Sequence, residues 1–173
     1  MKRALFGSIV LVVAALGATP AEAADRWWGG GGIAVTLGGD VGFVSVEPVI
    51  GYWVTEQFTV GARVILRYRT DDRFAESVNT TDYGAGLFAR YLVTKKFFVQ
   101  GEYEYLSYEL LSFSGSDERD EFGSWLAGGG YSQPLGRNAS FFVTGLYNFS
   151  YDEDELSPYD GPWVLRAGVG FRF

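Results

Sequence analysis

Apolar and polar side chains alternate along most of the chain. In residues 163–173 every second side chain is apolar or aromatic, and those between them are mostly small or cationic. A period of two is the pattern of a β-strand with one oily face and one polar face. The same alternation predicts seven earlier strands, over residues 33–37, 43–54, 58–69, 83–93, 97–111, 122–133 and 140–151. The first is the least regular, because the glycines at 29–32 are equally typical of a linker. The fold class is therefore predicted to be all-β.

The connections between the predicted strands alternate in length. Those after the second, fourth and sixth strands have about three residues, and those after the third, fifth and seventh have about ten. Outer-membrane barrels pair short periplasmic turns with long extracellular loops and use an even number of strands. The lengths predict an eight-stranded antiparallel up-and-down transmembrane β-barrel over residues 24–173, with both termini in the periplasm. A secreted β-sandwich also has regular short strands, but it would not sort its loops in this way.

The N-terminus has the three parts of a secretory signal peptide. Lys2 and Arg3 precede an apolar run over residues 4–18, and Ala21-x-Ala23 is a small-residue cleavage site. An N-terminal anchor helix is the alternative, but the run is short and the cleavage site follows it. We therefore expect residues 1–23 to be removed and the mature chain to reach the outer membrane of a Gram-negative cell. No other segment approaches the ~18 apolar residues of a membrane helix.

The amino-acid composition argues against several classes of function. The whole chain has 14 Lys and Arg and 21 Asp and Glu; without Lys2, Arg3 and Glu22 there remain 12 and 20, a net charge of −8. This charge argues against nucleic acid, which needs basic patches. The chain has no His and no Cys, so the commonest general base and transition-metal ligand is missing. We expect no enzyme activity, no cofactor and no metal, and a monomer in contact with outer-membrane lipids and lipopolysaccharide.

Charged residues recur on the inward face of the predicted strands. An eight-stranded barrel has an interior just wide enough for side chains, and buried charges must pair or remain wet. Counting across the short turns places Glu47 near Arg63, and Arg90 near Glu102. These inward charged residues can form a salt-bridge plug that fills the lumen, or they can line a narrow, gated conduit. The small interior of an eight-stranded barrel favours the plug. Its predicted members are Glu47, Arg63, Arg67, Arg90, Glu102, Glu104, Arg166 and Arg172.

Three long connections are acidic. Residues 70–81, 112–120 and 152–160 and their borders carry clustered carboxylates, which hard cations favour as ligands. Their spacing does not match an EF-hand loop, and charge runs are usually a solvated surface. A surface partner and a divalent cation are the alternatives to plain solvation. The acidic residues are Asp71, Asp72, Glu76, Asp117, Glu118, Asp120, Glu121, Asp152, Glu153, Asp154 and Glu155.

Several motifs resemble a known family. Pro48-x-x-Gly51-Tyr52-Trp53-Val54-Thr55 with Phe58 and Gly61, Arg90-Tyr91 before a short turn, and the ending over residues 167–173 are similar to small outer-membrane barrels of the outer membrane protein A/X type. The resemblance implies a porin-like barrel. The chain departs from the two-domain members of the family because it stops at the predicted eighth strand, so no peptidoglycan-binding domain is expected after it. The resemblance also implies that the barrel-assembly machinery reads Phe171 and Phe173 as an assembly signal.

That family includes structural proteins, adhesins and invasion factors without shared active residues. The resemblance therefore implies a structural or surface-interaction role, in envelope integrity or adhesion. A narrow transport barrel or pore for small solutes is the alternative.

Overall fold

The computed structural model describes residues 26–36, 41–71, 78–110, 118–152, 158–159 and 161–173. Each strand pairs antiparallel with the next, and the last pairs with the first, which closes the barrel. The predicted eight-stranded antiparallel up-and-down barrel is confirmed. The predicted signal peptide, residues 1–23, lies outside the described residues. The strands are β1 (Trp27–Thr36), β2 (Val41–Trp53), β3 (Phe58–Asp71), β4 (Val78–Leu92), β5 (Phe97–Leu110), β6 (Glu118–Pro134), β7 (Ala139–Asn148) and β8 (Trp163–Arg172).

The two ends of the barrel differ in their connections. The turn end carries the short connections 54–57, 93–96 and 135–138, and the loop end carries 37–40, 72–77, 111–117 and 149–162. Two of the turns are built alike. The hydroxyl oxygens of Thr55 and Thr94 accept the backbone N–H groups of Phe58 and Phe97, at 3.0 and 2.9 Å. A repeated Val-Thr-x-x-Phe sequence thus folds twice into the same reversal.

The glycine run is part of a strand and not a linker. β1 begins at Trp27, and Gly29 to Gly32 pair with both neighbouring strands. A Cβ atom on Gly30 would lie 2.1 Å from the carbonyl oxygen of Val169 in β8. Such an approach is impossible for any larger residue, so glycine is what allows the closing strand to pack at this distance.

Other strand limits also differ from the prediction. β4 and β6 begin at Val78 and Glu118, several residues earlier than expected, and β7 ends at Asn148. The residues added at the start of β4 include Thr80 and Asp82, which are polar and point into the barrel, where both are buried. At Pro48, which lacks a ladder donor, the pairing of β2 with β3 is interrupted after Val46 and resumes in the same register at Val49. The interruption occurs without an inserted residue.

The outward face of the barrel is apolar. Leu66, Leu87 and Val99 expose about half of their surface, at 53%, 51% and 50%. Aromatic side chains stand outward near both ends, among them Tyr91 at the turn end and Trp163 at the loop end. A continuous apolar exterior with aromatic borders is typical of barrels surrounded by lipid. In the part of the chain that the structure describes, no helix is long and apolar enough to cross a membrane.

Candidate functional site in the barrel lumen

Five charged side chains form an ionic cluster in the middle of the lumen. They come from β2, β3, β5 and β8, and all are buried: Glu47, Arg63, Glu102, Glu104 and Arg166. Arg63 lies 3.0 Å from a Glu47 oxygen and 2.6 Å from a Glu102 oxygen. Arg166 lies 2.9 Å from Glu47 and 2.5 Å from Glu102, and it also bonds Glu104. Two guanidinium groups therefore bridge three carboxylates and cross-link four strands.

Neutral groups complete the bonding of the cluster carboxylates. The Ser45 hydroxyl donates to Glu47 at 2.7 Å, and the Gln100 amide donates to Glu102. Taking a charged group out of water costs several kcal/mol, which is recovered only when the ion pair has good geometry and its remaining lone pairs are bonded. The cluster meets that condition. It is compact, and each of its carboxylates is held by at least one arginine, so none is left free to act as a general base.

The loop end of the lumen is filled by an apolar cluster. Its core is made of Ala34, Phe43, Ile65, Leu106, Leu126, Leu146, Tyr159 and Val164. Tyr159 comes from the connection between β7 and β8, yet only 1% of its surface is exposed. Its ring packs edge-on against Phe43, with 5.9 Å between centroids. A loop residue thus closes the lumen from the loop end.

The Tyr159 hydroxyl also joins the apolar cluster to the charges beneath it. It donates to Glu104 Oε2 at 2.7 Å and accepts a hydrogen bond from Arg67 Nη2 at 3.2 Å. Burial raises the pKa of the Tyr159 phenol, so the group keeps its proton at neutral pH and remains a donor. The guanidinium of Arg67 lies between two rings, 3.8 Å from the centroid of Phe43 and 4.6 Å from that of Tyr159.

The turn end of the lumen is filled by an aromatic cage around Arg90. The Arg90 Cζ atom lies 4.1 to 5.8 Å from the ring centroids of Trp28, Phe88, Phe98 and Phe142. The Trp28 indole N–H is held by Thr59 Oγ1 at 3.0 Å. Cation–π contacts of this kind are each worth about 0.5–2 kcal/mol, more when water is excluded. The cage closes the barrel on the side opposite Tyr159.

Arg90 and Glu102, which the sequence predicts to lie near one another, are linked through Gln100 rather than paired directly. The register of β4 and β5 places Arg90 opposite Gln100, and Phe88 opposite Glu102. Arg90 Nε accordingly donates to Gln100 Oε1 at 2.5 Å. The Gln100 amide nitrogen in turn donates a hydrogen bond to Glu102, whose oxygens also contact Arg63 and Arg166. The predicted neighbours Glu47 and Arg63 do lie in contact.

Arg172 lies outside these layers. It faces inward by strand phase, but it is exposed at the turn end, 5.5 Å from the ring of Trp53. Phe171 and Phe173 are exposed at the same end, at 52% and 66%. Their role in assembly stays a prediction.

Inward glycines make room for the cage. A Cβ atom on any of four glycines would lie within 2.6 Å of a cage ring. The pairs are Gly51 with Trp28, Gly61 with Phe88, Gly130 with Phe98, and Gly168 with Phe142. The sequence carries this signal as glycines at inward positions of predicted strands, but a glycine in a strand is more readily interpreted as a bulge or turn.

The acidic loops fall mainly outside the described residues, since 72–77, 111–117 and 153–157 are not among them. Asp120, Glu121 and Asp152 are described and exposed. Among the described residues no group of three acidic side chains is placed to hold a metal ion.

Comparison with known proteins gives the fold. No family model matches the chain, and no curated protein sequence matches it. Among solved structures, the chain is similar to the N-terminal β-barrel domain of OprF from Pseudomonas aeruginosa, with a TM-score of 0.51 and 14% sequence identity. The alignment covers 86% of this chain and 98% of that domain. At this identity the likeness concerns the eight-stranded barrel alone.

Proposed function

We propose that the protein is a non-enzymatic outer-membrane barrel with a closed lumen, and that it has a structural or surface-interaction role. The observation that carries the proposal is the filling of the lumen in three successive layers. These are the aromatic cage at the turn end, the ionic cluster in the middle and the apolar cluster at the loop end.

The outward face supports the membrane location. Closed barrels satisfy all of their backbone groups between strands, which makes them the only β-structures that span lipid. Here the strands close on themselves, and large apolar side chains are exposed around the barrel. Together with the predicted signal peptide, this favours the outer membrane, with phospholipid and lipopolysaccharide as neighbours and the barrel-assembly machinery as the partner during insertion. The acidic loops are the surface available to a further partner.

The interior supports a role without catalysis. The three cluster carboxylates are engaged by Arg63 and Arg166, and the buried hydroxyl of Tyr159 is engaged by Glu104 and Arg67. A general acid or base must reach a substrate proton. Groups that are bound to each other in a filled interior do not offer that access.

The deciding measurement is single-channel conductance of the refolded mature chain in a planar bilayer. We expect the unmodified barrel to be silent. The Glu47→Ala variant removes a carboxylate that both cluster arginines contact, and we expect it to admit current. Arg172→Met, which changes an exposed inward-facing residue outside the cluster, is the matched control and should remain silent.

A narrow pore is the second candidate. It is favoured by a cavity of about 20 Å³ between the ionic cluster and the cage, with three arginines among its lining residues. Steady conductance of the unmodified chain would contradict the closed lumen and make transport the leading function. Silence in every variant would show that the cluster is not what closes the barrel.

A further inference from the structure

We propose that this lumen cavity is a binding site for one small monovalent inorganic anion, of the size of chloride, beside Arg90. The site is distinct from the closed-barrel role, since it requires only the barrel fold and the side chains that line the cavity.

The described lumen holds one more cation than it holds anions. Its buried charged residues are five arginines, Arg63, Arg67, Arg69, Arg90 and Arg166, and four acids, Glu47, Asp82, Glu102 and Glu104. Arg69 pairs with Asp82 at 3.1 Å, which leaves four cations for three carboxylates. An uncompensated charge in an apolar interior is very costly.

The excess positive charge falls at Arg90. Arg63 and Arg166 contact carboxylates directly, and Arg67 reaches Glu104 through the Tyr159 hydroxyl. Arg90 has only the neutral amide oxygen of Gln100 as a hydrogen-bond acceptor among the described residues, and its other neighbours are rings. A counter-ion next to Arg90 would restore the balance.

The cavity is placed and lined for such an ion. Three arginines, Arg63, Arg90 and Arg166, border it against one carboxylate, Glu47, which gives the lining a net charge of +2. Three buried polar atoms of lining residues, Arg63 Nε, Thr144 Oγ1 and Arg166 Nε, have no hydrogen-bond partner among the described residues. Of these, Arg166 Nε does lie in ion-pair contact with Glu47. This lining attracts an anion and repels a cation.

Size restricts the class of anion. A volume of about 20 Å³ exceeds the roughly 10–15 Å³ that one water molecule needs, so the cavity holds a single particle of that order. Phosphate and sulfate, with five heavy atoms, do not fit. A water molecule fits but leaves the excess charge in place, which is why we assign the site to a halide-sized ion.

The test measures the stability of the refolded barrel in detergent micelles against urea, at constant ionic strength, in sodium chloride, sodium bromide and sodium gluconate. Chloride and bromide should lower the unfolding constant in a saturable manner, by about a hundredfold when the ion is at one hundred times its dissociation constant. Gluconate is too large to enter and should have no such effect. Equal stability in all three salts would overturn the proposal.

Two variants locate the effect. Arg90→Met should abolish the halide dependence, while Arg172→Met, which removes an exposed arginine away from the cavity lining, should retain it. If Arg90→Met does not fold, Thr144→Val keeps the shape and should weaken halide binding. Crystals soaked in bromide provide the direct check. An anomalous peak in the cavity supports the site, and its absence at saturating bromide assigns the cavity to water.

Discussion

Arg166 makes contacts with all three carboxylates of the ionic cluster, and its removal is the sharpest test of what stabilises the barrel. The change we consider is Arg166→Met, which keeps much of the side-chain length and removes the charge. It deletes the contacts to Glu47 at 2.9 Å and to Glu102 at 2.5 Å, together with the bond to Glu104. The inward-facing carboxylates of β2 and β5 then lose their link to β8.

The magnitude follows from what each carboxylate retains. Glu47 and Glu102 keep Arg63, but Glu104 keeps only the neutral hydroxyl of Tyr159, at 2.7 Å, as a hydrogen-bond partner among the described residues. Removing one partner of a buried ion pair costs about 3–5 kcal/mol, because the other charge is left uncompensated. We expect Arg166→Met to lose about that much unfolding free energy.

The assay is equilibrium urea unfolding in micelles, followed by the fluorescence of the tryptophans. Arg172→Met is the matched control, since it makes the same chemical change on the same strand at an exposed position, where the cost should stay within about 0.5 kcal/mol. Adding Glu104→Gln to Arg166→Met should recover part of the loss, with a coupling energy of about 0.5–3 kcal/mol. Equal costs for Arg166→Met and Arg172→Met would refute the reasoning.

Three further changes test the other layers. Gly51→Ala places a Cβ atom 2.4 Å from the indole of Trp28 and should lower the unfolding free energy by about 1–3 kcal/mol. The control is Gly101→Ala on the outward face, where a Cβ atom meets nothing within 4 Å, so its effect should be close to neutral. Equal losses of stability in the two variants would contradict the proposed packing of the cage. Tyr159→Ala should open the loop end of the lumen to water. The reporter is Ser124→Cys, whose thiol is unique because the chain has no Cys, and it should react faster with a water-soluble thiol reagent when Tyr159 is replaced. An unchanged reaction rate would show that Tyr159 does not close the lumen. Thr94→Val removes the acceptor for two backbone amides and should cost about 1 kcal/mol in the same urea assay, and no loss would mean that the turn is held by its backbone alone.

Alternation alone predicts much of this barrel. Once the phase of a strand is fixed, every side chain on it is assigned to one face, because successive residues point in opposite directions. The phase taken from Val60, Val64 and Leu66 therefore also assigns Arg63 and Arg67 to the interior, where both are buried. Connection lengths then supply the number of strands and the arrangement of the ends.

Pairing within the lumen is less predictable, because it depends on register as well as phase. A shift of one inward position between β4 and β5 decides whether Arg90 faces Gln100 or Glu102, and the length of a turn does not fix this. The first residues of β4 were missed for another reason. Thr80 and Asp82 on the inward face and Thr81 on the outward face are all polar, so this segment lacks the alternation of apolar and polar residues by which a strand is recognised.

Nothing in the sequence around Tyr159 predicts that its side chain is buried in the lumen. It stands in an acidic connection without periodicity, and nothing local indicates that it enters the barrel rather than solvent. Its burial is decided by partners far away in the chain, Arg67 and Glu104, which lie 92 and 55 residues from it. The aromatic cage is equally hard to predict from the sequence, because each of its rings packs against a glycine of another strand.

The order of the layers bears on the choice between a closed barrel and a pore. The ionic cluster lies between two apolar layers, which keep bulk water away, and ion pairs are stronger where the local dielectric is low. A solute passing through would have to separate Arg166 from three carboxylates and also displace four rings. The rings have little room to turn, because inward glycines are fitted to their present positions. The unmodified barrel therefore has two kinds of barrier to passage, the paired charges and the packed rings. We expect its closed state to dominate and partners to be met at the loop end and on the outer surface.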